Sequence, residues 1–252
     1  MTNKLKYFIG NWKMFGDFNS FKIINKINQY AKKHKSSAKS KIVLCVPNIL
    51  INFFNKRLKR KSISIGAQNC YHEEGYGPFT GATSARMLKK MGAEYIILGH
   101  SENRAEGETP KLIKKKIMSA LNQKLNIILC IGEKYIDKKK RKTFSVIRKQ
   151  IKGSLEKKFN MNKIIIAYEP VWSIGTNKIP NTKELTNVIK FIKNNFKIIF
   201  KAKNHPKVLY GGSVNKNNIK LLSLIREIDG FLIGGASQSS KKFIDIIKNY
   251  YK

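Results

Sequence analysis

The sequence predicts an α/β protein built as a single (β/α)8 barrel, one domain spanning residues 1–252. Three observations carry this. Eight short runs rich in apolar and β-branched residues recur along the chain, most of them about 30 residues apart, the length of one βα unit. Amphipathic helical patterns fill most of the gaps, and strands alternating with helices build a parallel sheet. Eight such units in 252 residues favour a sheet closed on itself over an open, doubly wound one.

The expected strands are 6–11, 42–46, 63–68, 95–98, 126–131, 163–168, 207–210 and 230–233. After the first, Phe21, Ile24, Ile27 and Tyr30 form an apolar stripe at helical spacing with lysines between. Thr109-Pro110 opens a later helix with a cap and a proline at its first position. The sixth run, Ile164-Ile165-Ile166-Ala167-Tyr168, has no polar alternation, as expected of a strand buried on both faces. Glu169 follows, and Pro170 cannot donate a ladder hydrogen bond, so the strand ends at the glutamate. An apolar flap comes next: Pro170, Val171, Trp172, Ser173, Ile174, Gly175, Thr176 and Asn177. Asn181 and Glu184 resemble the capping box of the helix after it.

Composition limits the function classes. The three cysteines, Cys45, Cys70 and Cys130, lie far apart and make no CxxC pair. Neither a disulfide framework nor a metal site is indicated, and a reducing, cytoplasmic setting is expected. No apolar run reaches the roughly 18 residues of a membrane span, and Tyr7-Phe8-Ile9-Gly10 is too short for a signal-peptide core. The balance of 51 Lys+Arg against 15 Asp+Glu gives a formal charge of +36. Such an excess fits a nucleic-acid or membrane binder, or simply an AT-rich genome. The lysines are spread over nearly every expected helix instead of forming one stripe, so no nucleic acid or membrane is expected as a partner. Either way, the positive field draws in small anions.

In a barrel the chemistry sits on loops after the strands' carboxyl ends. Those ends carry Asn11-Trp12-Lys13, Gly99-His100-Ser101-Glu102, Cys130-Ile131-Gly132-Glu133, Glu169, Tyr210-Gly211-Gly212-Ser213-Val214 and Gly234-Gly235-Ala236-Ser237. Glu169 reads either as a solvated strand cap or as a base partly withdrawn from water under a closing flap. The two glycine pairs let backbone N–H groups approach a phosphate at helix N-termini, although tight turns would also use glycine. His100 opens a helix, whose dipole should lower its pKa and keep it a neutral donor, unless it is only a core histidine. Lys13 brings a fixed positive charge and Asn11 an uncharged donor. Cys130 reads as a packing residue. A base, a neutral electrophile, a cation and a phosphate cradle suggest proton transfer beside a carbonyl on a small phosphorylated substrate.

Read together, these motifs resemble the triosephosphate isomerase family over nearly the whole chain. The match rests on Gly10-Asn11-Trp12-Lys13-Met14, Gly66-Ala67-Gln68-Asn69, Gly99-His100-Ser101-Glu102, Cys130-Ile131-Gly132-Glu133, Ala167-Tyr168-Glu169-Pro170-Val171-Trp172 with Ile174-Gly175-Thr176, Tyr210-Gly211-Gly212-Ser213-Val214 and Gly234-Gly235-Ala236-Ser237. The resemblance implies a TIM-barrel isomerase of glycolysis and gluconeogenesis. It would interconvert dihydroxyacetone phosphate and D-glyceraldehyde 3-phosphate through an enediolate without a cofactor. It implies Glu169 as base, His100 as neutral electrophile, Lys13 as electrostatic stabiliser and Asn11 as substrate-orienting group. Gly175, Ser213, Gly234 and Gly235 would bind phosphate, and residues 170–177 would form a lid held closed by Tyr210 and Ser213. A homodimer is implied too, with Thr80 of the third βα loop reaching the partner's active site beside its Asn11.

The chain departs from the family pattern in places. Ala82 stands where a glutamate is usual and Asn103 where the first of two arginines is usual, a pair that bridges the dimer in the family. Asn177 replaces a glycine, and Pro180 an alanine, at the far end of the lid, which should stiffen that hinge. Two rival readings are a phosphate-binding aldolase or lyase and an anionic-polymer binder on a degenerate barrel. A Schiff-base aldolase would need a lysine where Glu169 stands, and intact Asn11, Lys13, His100 and Glu169 argue against degeneracy.

Overall fold

The computed structural model describes residues 5–34, 39–176 and 178–252. Asn177, one of the expected lid residues, therefore lies outside the described residues. Eight parallel strands close into a barrel in sequence order: β1 (Lys6–Asn11), β2 (Ser40–Cys45), β3 (Ser64–Ala67), β4 (Tyr95–Leu98), β5 (Asn126–Ile131), β6 (Ile164–Tyr168), β7 (Lys207–Tyr210) and β8 (Gly230–Ile233). Closure is made by β8 against β1, in the register Tyr7↔Gly230 to Gly10↔Ile233.

The differences from the expected spans follow from pairing. β2 starts two residues early because Ser40 is the ladder partner of Lys6. β3 stops at Ala67. Gln68 turns its amide onto the carbonyls of Lys13 and Cys45, 3.0 Å each, and leaves the strand.

The outer layer comprises α1 (Phe21–Lys33), α2 (Asn48–Arg57), α3 (Ala85–Lys90), α4 (Ser101–Ala105), α5 (Pro110–Asn122), α6 (Tyr135–Lys139), α7 (Thr143–Ser154), α8 (Thr182–Phe200), α9 (Ile219–Ser223) and α10 (Ser240–Tyr251). Ile24, Ile27 and Tyr30 of the α1 stripe are buried. The Thr109 hydroxyl caps α5 by accepting from the Leu112 N–H at 3.2 Å, and Asn181 caps α8 through the Glu184 N–H at 2.8 Å.

Strand alternation splits the core in two. Side chains such as Ile9, Val43, Ile97, Ile128, Cys130 and Leu209 fill the barrel. Their neighbours along each strand, such as Phe8, Leu44, Ile96, Leu129 and Ile166, pack outward under the helices. The barrel is thus a plugged cylinder, and space for chemistry is left at its rims. All three cysteines are free and buried. No helix among the described residues is long and apolar enough to cross a membrane.

Candidate active site

A cavity of about 640 Å³ opens at the C-terminal rim. It brings together residues from five strand ends: Asn11 closing β1 and Lys13 just beyond it, His100 after β4, Glu169 after β6, Ser213 after β7, and Gly234 and Gly235 after β8. Gly175 reaches it from the flap. All the expected substrate-contacting residues therefore meet in one place.

Glu169 is buried, and its N–H donates to the Ile131 carbonyl at 2.8 Å. The strand end is fixed by what its neighbours lack. A Cβ on Gly132 would lie 1.7 Å from the Glu169 carbonyl oxygen, so only glycine lets β5 and β6 run on this closely. Glu169 Oε1 lies 3.2 Å from His100 Nε2. On the other side of the ring, the Glu102 N–H donates to His100 Nδ1 at 3.3 Å. An N–H pointing at Nδ1 requires a lone pair there, which puts the neutral ring's proton on Nε2, facing the cavity.

Here the structure corrects one expectation. The helix dipole was expected to lower the pKa of His100. Burial does work in that direction, but the facing Glu169 carboxylate, through its charge and hydrogen bond, with Glu102 adding to it, leaves the pKa raised. The helix that His100 caps is only five residues long, so its dipole is a weak competitor for a carboxylate in contact.

Lys13 holds a left-handed backbone, φ 57°, which is uncommon for a side-chain-bearing residue. The Asn11 side chain supports that turn by accepting from the Lys13 N–H at 3.1 Å. Lys13 Nζ pairs with Glu102 Oε1 at 2.5 Å. Glu102 thus meets both His100 and Lys13, a role that its position at a helix start did not reveal.

The two glycine loops differ. After β8, Gly234 leads straight into a 3-10 turn, Gly235–Gln238. After β7, α9 begins only at Ile219, beyond a turn in which the Asn215 side chain accepts from the N–H groups of Asn217 and Asn218. Only the second loop therefore presents a helical N-terminus directly. A Cβ on Gly235 would meet nothing within 4 Å, so the chain's own packing does not demand glycine there. The space beside Gly235 belongs to the cavity. Lys216, Lys242 and Gln238 also line it. The sequence hid the two lysines among dozens of others.

The flap starts with Pro170 and a 3-10 turn, Val171–Ser173. Trp172 Nε1 donates to Glu133 Oε1 at 3.0 Å, and the Tyr168 hydroxyl meets the same carboxylate. Burial raises the pKa of Glu133 despite these donors. The Ser173 hydroxyl lies 3.0 Å from that of Tyr210 and donates to the Lys178 carbonyl at 2.5 Å. Ile174 and Gly175 overhang the cavity, Gly175 with φ 70°, and Thr176 Oγ1 bonds back to the Ser173 carbonyl at 3.2 Å. Thr80 is exposed on the third βα loop, away from the cavity lining. Cys130 packs inside the barrel, its thiol pKa pushed well up by burial and then by Glu169, as a packing residue would be.

Comparisons agree with this geometry. A family profile described as triosephosphate isomerase matches residues 6–250. The triosephosphate isomerase of Dictyoglomus turgidum is 38% identical over 252 residues, covering 97% of this chain and 99% of that one. That of Alkaliphilus oremlandii is 37% identical over 244 residues, covering 94% and 96%. The crystal structure of the Bartonella henselae triosephosphate isomerase superposes with a TM-score of 0.89 at 33% identity, covering 98% and 99% of the two chains. With the barrel, the strand-end residues and full-length similarity in agreement, the chain belongs to the triosephosphate isomerase family and is an isomerase of that type.

Proposed function

We propose that the rim cavity interconverts dihydroxyacetone phosphate and D-glyceraldehyde 3-phosphate, a step shared by glycolysis and gluconeogenesis, with Glu169 as the base. The observation that carries this reading is the placement of Glu169 Oε1 against His100 Nε2, 3.2 Å apart, in a cavity that also holds Lys13. Glu169 removes the proton from one substrate carbon and returns it to the next. His100 donates from Nε2 to the substrate oxygen that becomes negative in the enediolate. A substrate entering between the two separates the carboxylate from the imidazole. Burial, the largest influence on the ring, then favours the neutral form. Lys13 places its charge beside the same oxygen, and Asn11 orients the substrate. The N–H groups of Gly175, Ser213, Gly234 and Gly235 hold the phosphate, and residues 170–177 close over it to exclude water. No cofactor is required by these steps.

A coupled isomerase assay on the wild type and Glu169→Asp tests the assignment. Shortening the base withdraws it by about 1 Å, and kcat should fall on the order of 100-fold. Equal activity would remove Glu169 from the role.

We also infer that a homodimer forms through the third βα loop, and a cytoplasmic setting fits the free, buried cysteines. Met14, Phe18, Ile49, Tyr76 and Phe79 are exposed apolar residues on the loops and helix start after β1, β2 and β3, which are neighbours in the barrel. A second copy supplying Thr80 covers such a rim. The bridge that Ala82 and Asn103 remove leaves no lone charge, because both of its partners are replaced by uncharged residues, and the neighbouring Arg104 is turned inward onto the carbonyls of Gly99 and Cys130, at 2.7 and 3.0 Å. Sedimentation at micromolar concentration should give a dimer, and a monomer there refutes the inference.

A further inference from the structure

The opposite end of the barrel holds a second cavity, of about 560 Å³, that the isomerase chemistry does not use. Its volume lies within the range of small-molecule sites. Its floor is the N-terminal rim, where Tyr7 of β1 and Tyr95 of β4 line it together. One wall is the 159–163 segment entering β6, and the other is the 202–207 segment entering β7. The second wall is anchored. Lys201 closes α8 in a left-handed conformation, the Ala202 N–H donates to the Lys197 carbonyl at 3.2 Å, and His205 Nδ1 lies 3.2 Å from the Lys193 carbonyl.

The lining has two chemical characters. The rings of Tyr7, Tyr95 and Phe159 give an apolar lining, with Tyr95 and Phe159 mostly buried and Lys41 Nζ 5.8 Å from the Tyr95 ring centroid, while Lys163, Lys203 and Lys207 bring three cations. Among the described residues, no aspartate or glutamate lines the cavity. The two acids nearest the tyrosines are engaged elsewhere. Glu94 Oε2 accepts from the Ser64 hydroxyl at 2.8 Å, and Asp229 Oδ2 pairs with Lys193 Nζ at 2.7 Å. Burial first, then neighbouring Asp229 at Tyr7 and neighbouring Tyr7 at Tyr95, raises both phenol pKa values, so both hydroxyls stay protonated and can donate.

We propose that this cavity binds an aromatic anion of nucleoside-monophosphate size, its ring system against Tyr7, Tyr95 and Phe159 and its phosphate among Lys163, Lys203 and Lys207. A bare inorganic anion would make no use of the apolar lining that Tyr7, Tyr95 and Phe159 contribute. An uncharged ring would leave Lys163 on one wall and Lys203 and Lys207 on the other unmatched, in a cavity that no carboxylate lines among the described residues. A ligand carrying both parts satisfies both halves. The site lies at the far ends of the strands that finish in Glu169 and in the Gly211-Gly212-Ser213 loop and shares no lining residue with the rim cavity, so its ligand does not compete with triose phosphate for the same groups.

The test is calorimetric titration of the full chain with AMP, in saturating glycerol 3-phosphate so that the rim cavity is occupied. AMP should bind at one site, with adenosine and inorganic phosphate each weaker by about tenfold or more. Tyr95→Phe and the double variant Lys163→Gln/Lys203→Gln should each weaken AMP binding by up to about tenfold and leave isomerase turnover intact. The double variant Lys149→Gln/Lys152→Gln, on the outer face of α7, removes the same charge elsewhere and should leave AMP binding unchanged. The proposal is overturned if AMP does not bind, if phosphate alone binds as tightly, if neither cavity variant weakens AMP, or if the α7 pair weakens it equally. That last result would assign the binding to the overall field of the chain.

Discussion

Glu169 and His100 lie within hydrogen-bond distance, 3.2 Å, and that contact gives pH a handle on stability. The pKa of His100 is raised above its ordinary 6.5 in the folded chain, with burial opposing and Glu169 prevailing. A group whose folded pKa is raised contributes stability that is fully present below its unfolded pKa and is lost as pH rises through the folded one. The stability lost on His100→Gln should therefore be largest below about pH 6 and should shrink as pH climbs past neutrality. Urea denaturation of both proteins at a series of pH values measures it, and a constant difference from acid to mildly alkaline pH would show that the pair carries no net linkage. The strand-end position of these two residues was legible in the sequence, because a polar group directly after an apolar run stands out. Their mutual contact was not. It joins two strand ends far apart in the chain, and of the influences on His100 local sequence suggested the helix dipole and offered nothing to point to Glu169. The same limit hid Glu102, which the fold places against Lys13, and Gly132, whose bareness makes sense only once the Glu169 carbonyl lies beside it.

Among the elements, the strands were read well where apolarity alone defines them, as in β4, β5, β7 and β8. Errors arose where pairing or a side-chain hydrogen bond sets the boundary, as at Ser40 opposite Lys6 and at Gln68. The flap was legible as an apolar piece ending in glycine, but its tethers were not. Glu133 holds Trp172 and Tyr168, and Ser173 holds Tyr210, through bonds between segments far apart in the chain, while Ser173 also ties the flap to its own far end at the Lys178 carbonyl. The far hinge is firmly seated, since Pro180 is buried and the next residue, Asn181, caps α8. A proline fixed in that position restricts the backbone rotation that a hinge must absorb. Pro180→Ala should therefore speed exchange of the flap, read as relaxation dispersion from a fluorine-labelled Trp172. An unchanged exchange rate would place the hinge elsewhere, most simply at the near end around Pro170.

For the molecule as a whole, the excess of positive charge is its most unusual property, and neither the barrel nor the chemistry needs it. Fifty-one basic residues against fifteen acidic ones surround a cavity that itself carries Lys13, Lys216 and Lys242 around a single glutamate. A doubly charged phosphate ester approaching this surface moves down a potential set by the whole chain, and such steering raises association rates by about ten- to a thousandfold at low salt. Screening shortens its reach, from about 30 Å at 0.01 M to about 8 Å at physiological ionic strength. If encounter limits the reaction at low substrate, kcat/KM should fall by roughly tenfold across that range, while kcat, measured with the cavity already filled, should change little. Two contributions can be separated by charge reversal at a distance. Lys149→Glu with Lys152→Glu, on the outer face of α7 and outside the rim cavity, weakens the field without touching the substrate. That variant should have a lower kcat/KM than the wild type at low salt and the same value at high salt. A salt profile that is flat in the wild type would show that the field does not steer substrate. A steep profile that the α7 pair leaves unaltered would assign the salt effect to the lysines of the cavity alone.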